Sequence, residues 1–204
     1  MKLLTCVVCV IATAALAERP PQRAQASADA KTLLESLTPS AREALRKDGQ
    51  VVLEQRDGNA LRAVVRFERP LAQVYSVLTE PSTQASYLPH VTQSKTVVRS
   101  EEGESTDMVV SFLFTFRYRT QHWFYADAHR MEWSLDPAGP RDLTAQDGFW
   151  QLYALDEKTT IGEFGTHVAA ESGFINFLRG LGERGGVAEA LTSVRRHVHR
   201  ATSR

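Results

Sequence analysis

The sequence predicts an α+β fold in which a first strand hairpin leads through two short helices into a run of antiparallel strands and then a long C-terminal helix. Three observations predict it. Residues 109–125 are dense in Phe, Tyr, Trp and β-branched side chains, and their second half alternates as a half-buried strand does. Further β-prone runs follow, separated by loops rich in Pro, Gly and Asp. From residue 173 to 203, apolar side chains return at helical spacing.

The N-terminal end reads as an address. Lys2, an apolar run from Leu3 to Leu16 and the string Ala15-Leu16-Ala17 before Glu18 follow the order of a secretory signal peptide over residues 1–17. Its run of about fourteen apolar residues falls short of the roughly 20 a bilayer crossing needs, so cleavage is expected after Ala17. The mature protein is therefore expected to be exported, to the periplasm or the extracellular space. Cys6 and Cys9 would leave with the signal, removing disulfides, thiol catalysis and cysteine zinc sites together. With 24 basic and 24 acidic residues, or 23 against 24 without Lys2, nothing favours bulk nucleic-acid binding.

Residues 18–30 are rich in Pro, Ala and Gln without apolar periodicity and read as a flexible linker. Residues 31–49 read as an N-terminal helical segment, with Thr38-Pro39 as cap and first turn and Gly49 as the stop. The main domain is expected over 50–203. Its first two strands, 50–55 and 61–67, flank the tight-turn pair Asp57-Gly58. Pro70 opens a helix with Leu71, Val74, Tyr75 and Leu78 on one face, and a brief second helix is expected over 83–88, closed by Pro89.

The chain then turns at residues 101–104 from a strand at 91–99. Residues 105–125 as one strand would span roughly 70 Å, so a bend or hairpin near 112–116 must divide them. Strands at 130–135, 148–155 and 160–168 complete the series. Gly180, Gly182, Gly185 and Gly186 interrupt the terminal helix at about 1 kcal/mol each against alanine, leaving open one kinked helix or two joined by a loop.

The order of elements, with several local strings, resembles the START-like, or SRPBCC, superfamily of the Bet v 1-like helix-grip fold. The strings are Arg66 to Pro81 (RFERPLAQVYSVLTEP), Tyr87-Leu88-Pro89-His90-Val91, Gly148-Phe149-Trp150 and the segment from Thr159-Thr160 to Phe164. Over about residues 50–203 the chain resembles the coenzyme Q-binding and polyketide cyclase branch. The resemblance implies a curved antiparallel sheet wrapped around the C-terminal helix with a hydrophobic cavity between them. It implies no particular reaction. One departure is the signal peptide, since close relatives of that branch are generally intracellular.

Strand parity supplies a candidate wall independently. Tyr118, Thr120, His122 and Phe124 share one face, and the Arg117, Arg119 and Gln121 face is expected to be wet. With Glu132, Ser134, Gln151 and Glu163 outward, Trp133, Trp150, Phe164 and Thr166 face in, closed by Phe177 and Leu181 from the helix. Such a wall suits a lipid, isoprenoid, polyketide or aromatic ligand, and the same rings could equally fill a solid core.

His122 has the right ordinary pKa for proton transfer. Tyr118 stands about 13 Å from it along the strand, too far for a direct relay. His167 is expected to be exposed, His129 to sit in a turn, and His197 and His199 to diverge on their helix, so no metal site is expected. No cofactor is expected either, for the chain has no phosphate loop, dinucleotide, nucleophile-elbow or zinc-protease motif. Arg195, Arg196 and Arg200 form a basic helix end that could meet a membrane surface or simply complement the helix dipole. The leading expectation is an exported carrier of a hydrophobic small molecule. The alternatives are a cyclase or aromatase-like enzyme using His122 with Tyr118 or Thr120, and a non-catalytic interaction module with a filled core.

Overall fold

A computed structural model describes residues 26–53, 60–111, 114–169 and 186–202. The expected signal peptide and cleavage site, the linker up to residue 25, the Asp57-Gly58 turn, residues 112–113 of the expected bend, and residues 173–185 of the expected terminal helix lie outside the described residues. Phe177 and Leu181 are among these last.

The chain forms α1 (Ala30–Ser36), α2 (Pro39–Asp48), β1 (Gln50–Leu53), β2 (Ala60–Phe67) and α3 (Leu71–Leu78). A 3-10 helix (Pro81–Ser86) leads into β3 (Val91–Arg99), β4 (Gly103–Ser111), β5 (Thr115–Tyr125), β6 (Arg130–Leu135), β7 (Ala145–Ala154) and β8 (Thr160–Ala169), and α4 (Gly186–Ala201) follows. All eight strands join one antiparallel sheet in the order β1-β2-β8-β7-β6-β5-β4-β3. The first hairpin therefore docks on the last strand, and α3 with the 3-10 helix crosses to the far edge. The sheet curves around α4, whose Leu191, Val194 and Val198 pack with Ala63, Val65, Phe67 and Trp150 on its inner face. Among the described residues, no helix is long and apolar enough to cross a membrane.

Local chemistry accounts for most boundaries. Thr38 Oγ1 accepts the Ala41 N–H at 3.2 Å and Pro39 occupies the first turn of α2. Gly49 ends the same helix at φ +74°, a conformation that costs a side-chain-bearing residue but not glycine. The hairpin expected within 105–125 is present, with β4 and β5 paired down to Ser111 opposite Thr115. Two expectations shift. Pro81 opens the second short helix instead of preceding it, because its fixed φ suits a first turn. Glu104, read as part of a turn, is the second residue of β4 and is fully buried.

The outer face departs most from expectation. Gln121, Glu132, Ser134 and Glu163 were expected in water, yet none is more than 8% exposed. Near β2, β8 and β7 the cause is the N-terminal segment. Leu33 of α1, Leu37 at its end and Leu45 of α2 pack with Val64 and Ile161, forming a second core. Further along, polar side chains lie flat and seal the sheet themselves. Arg130 spans the Phe149 ring at 4.4 Å and pairs with Glu132, and Gln121 Nε2 donates to the His122 carbonyl at 2.9 Å. His167, also expected outside, has Nδ1 at 3.1 Å from Asp147 and is only partly exposed.

Candidate functional site

Between the sheet's inner face and α4 lies a cavity of about 370 Å³. The inward row of β5 supplies Tyr118, Thr120 and His122, and its partner row on β4 supplies Met108 and Val110. Trp133 comes from β6, Gln146 and Trp150 from β7, and Phe164, Thr166 and Val168 from β8. The stretch from Tyr87 to Val91 borders one side, and Val187, Leu191 and Val194 of α4 close over it. Among the described residues the interior holds this cavity, which weighs against a core packed solid by the same rings.

An aromatic spine crosses the wall. Trp133 stacks on Phe164 at 5.7 Å, Phe164 meets Trp150 at 4.9 Å, and Trp150 meets Phe67 edge-on at 6.2 Å. Gly148 makes this possible, for it sits opposite Trp133 in the ladder. A Cβ there would lie 2.3 Å from Trp133 Cζ2 and 2.5 Å from the Gly165 carbonyl oxygen. The second of these is backbone and cannot swing away. Gly148→Ala is expected to cost about 2 kcal/mol through overpacking and to displace the Trp133 ring. Urea unfolding with near-ultraviolet circular dichroism measures both, and a loss under about 0.5 kcal/mol would mean the ring has room to spare.

His122 is 4% exposed, with Nδ1 at 3.3 Å from the Glu104 carbonyl oxygen. Burial pushes its imidazole down to about 4, against the opposing pull of that hydrogen bond. It is therefore neutral at pH 7, whereas an unfolded histidine titrates near 6.5. Between those values the unfolded chain binds a proton that the native one refuses. The contribution is complete above about pH 6.5 and is lost as pH falls toward about 4, a difference of about 3 kcal/mol. Unfolding free energies from pH 7 to 4 should fall by that much less in His122→Gln, and identical pH slopes in the two proteins would refute the assignment.

Glu104 itself forms a buried cluster beside this histidine. Its carboxylate accepts from Thr96 at 2.8 Å, Thr106 at 3.0 Å and the Arg99 guanidinium, which also grips Glu80. Burial pushes the Tyr118 phenol up to about 12, opposed by a hydrogen bond from Gln146. Half-buried Tyr87 stacks on His197 at 4.1 Å, tying the end of the 3-10 helix to α4.

No family model and no curated protein matches the sequence. Solved structures do match. The Zhui aromatase/cyclase from Streptomyces sp. R1128 superposes with a TM-score of 0.61 at 13% identity, covering 69% of this chain and 93% of that one. A START superfamily protein from Mycobacterium smegmatis gives 0.55 at 14% identity, covering 71% and 99%. The STAR-related lipid transfer protein from Xanthomonas axonopodis gives 0.56 at 13% identity, covering 74% and 99%. The fold is START-like.

In this START-like fold, Tyr118, Thr120, His122, Trp133, Trp150, Phe164 and Thr166 all stand on the cavity wall. Phe124 does not. It lies beyond the cavity's end, packed on the inner core with the Arg99 guanidinium 6.0 Å from its ring. Phe177 lies outside the described residues. Met108, Val110 and Gln146 were missed, although parity reaches all three once β4 is paired with β5 and β7 is begun at Ala145 instead of Gly148.

The START-like fold also uses part of the basic helix end. Arg195 Nη2 reaches both Glu68 oxygens at 2.9 Å and its Nη1 donates to the Asp48 carbonyl, so of the three only Arg196 and Arg200 are exposed. His197 and His199 diverge, one to Tyr87 and the other to Glu68. Among the described residues, no three His, Cys, Asp or Glu side chains gather as metal ligands would.

Proposed function

We propose that this protein, once exported, binds and carries a hydrophobic small molecule of lipid, isoprenoid or polyketide type without turning it over. The cavity carries the proposal. Among the described residues its wall is built mostly from Trp, Phe, Tyr, Leu, Val and Met, with a few polar side chains and no Lys, Arg, Asp or Glu, as expected of a site that holds a ligand by burial. Burying roughly 300 Å² of apolar ligand surface at about 25 cal/mol per Å² would supply about 7 kcal/mol before the costs of association. His122 supports binding over turnover, since an imidazole titrating near 4 is a poor proton donor at neutral pH.

Native mass spectrometry of the protein purified from its own compartment tests this. A co-purifying hydrophobic molecule is expected. Repeated isolation of empty protein, with no thermal shift across a panel of lipids and isoprenoids, would overturn it. A cyclase reading draws on one further observation, the His122 ring on the cavity wall. It would be favoured if His122→Gln abolished conversion of a linear polyketide while leaving its binding intact.

A further inference from the structure

The cavity's polar groups are few, and their hydrogen-bonding capacities can be assigned. Among the described residues, its wall contains no Lys, Arg, Asp or Glu. Against these described residues a carboxylate or phosphate on a ligand would find no guanidinium or ammonium, which disfavours it in an apolar interior.

His122 adds a sharper constraint. Its Nδ1 approaches the Glu104 backbone oxygen at 3.3 Å, and a carbonyl can only accept. The proton of the neutral ring is therefore on Nδ1, and Nε2 presents a bare lone pair. Among the described residues, the His122 ring has no other hydrogen-bond partner. On the same wall, the Gln146 amide oxygen is buried without a partner, so a second acceptor is unsatisfied. The neighbouring Tyr118 and Thr120 hydroxyls both hold protons, but each can rotate to accept as well as to donate. A buried acceptor left unmatched is costly, whereas matching it with a ligand donor recovers that cost on binding.

We infer that the cavity selects neutral hydrophobic ligands bearing a hydroxyl, which donates its proton to His122 Nε2, over anionic ligands and over those that can only accept. This rests on the ligand-binding reading. It makes His122 a specificity-determining residue and assigns it no chemical step.

Three probes of one ring system test it by titration calorimetry on the purified protein: 2-naphthol, 2-methoxynaphthalene and 2-naphthoate. 2-Naphthol should bind about tenfold more tightly than its methyl ether, and the carboxylate most weakly of the three. His122→Phe should bring 2-naphthol to within about twofold of the ether, and His122→Gln, whose amide oxygen can accept, should restore part of the preference. Equal affinities in the wild type, or a preference that survives His122→Phe, would overturn the inference while leaving the binding reading intact. Binding of none of the three would remove both. Nitrogen NMR of the wild-type histidines gives a check that needs no variant to fold. His122 Nε2 should be unprotonated and should shift with 2-naphthol but not with the ether, and a proton found on Nε2 would overturn the assignment.

Discussion

Glu163→Ala is expected to destabilise the protein by about 3 kcal/mol, because it removes a fully buried carboxylate and leaves the groups that donate to it unmatched. The Glu163 side chain has no solvent exposure, yet it sits on the face opposite the cavity. One carboxylate oxygen accepts Arg62 Nε at 2.7 Å, and the other accepts the Ser27 backbone N–H at 2.8 Å and the Tyr153 hydroxyl at 3.2 Å. Tyr153 shares its single phenolic proton with the nearer Ser27 carbonyl, at 2.6 Å. Its phenol pKa is raised, first by burial and then by the Glu163 charge. Alanine would take the acceptor from the Arg62 guanidinium and the Ser27 amide together, while the Tyr153 phenol keeps the Ser27 carbonyl. Arg62 is 38% exposed and can turn partly to water, which keeps the loss from growing further.

Two measurements separate this account from a general packing loss. Urea unfolding gives the free energy, and limited proteolysis reports whether the chain around Ser27 has come away from the sheet. The double variant Arg62→Leu with Glu163→Leu should recover most of the loss, since an apolar pair leaves neither charge unmatched. A single variant within about 1 kcal/mol of wild type, or a double variant worse than the single, would sink the argument.

The inner and outer faces of the same strands differed in how far they could be read from sequence. On the inner face, alternation places Tyr118, Thr120 and His122 in one row, and pairing carries that row across to Trp133, Trp150 and Phe164. The row ends where the cavity ends, which parity does not encode, and so Phe124 shares the direction without sharing the space. On the outer face, alternation correctly separated Gln121, Glu132 and Glu163 from the cavity. It could not show that they are dry. What buries Glu163 is a contact with Ser27, 136 residues away, from a segment whose composition resembles a linker. A polar outer row under a covering layer and one under water have the same period of two. The overall fold was legible because element order and turn chemistry are local. The buried carboxylates Glu104 and Glu163 were not, because their partners arrive through tertiary structure.

Trp150→Ala is expected to cost about 3–5 kcal/mol and to lower the melting temperature by on the order of 10 °C. The indole is 5% exposed and touches both Phe67 and Phe164, so it belongs to the solid core and to the cavity wall together. Were it only wall, truncation would enlarge an existing hollow at modest cost. Because its other edge rests on Phe67, which is fully buried, the lost contacts also loosen the inner core that α4 packs on. The space left behind is shaped for an indole ring and lined by apolar atoms, a setting in which small aromatic molecules bind. Millimolar indole should therefore restore part of the melting temperature in Trp150→Ala and do less for the wild type, by the mass-action gain of a ligand that binds only the folded state. A loss below about 1 kcal/mol would show that Phe67 and Phe164 close over the gap without the indole. A full loss without any rescue by indole would place the damage in the packing of α4 instead of in the volume removed.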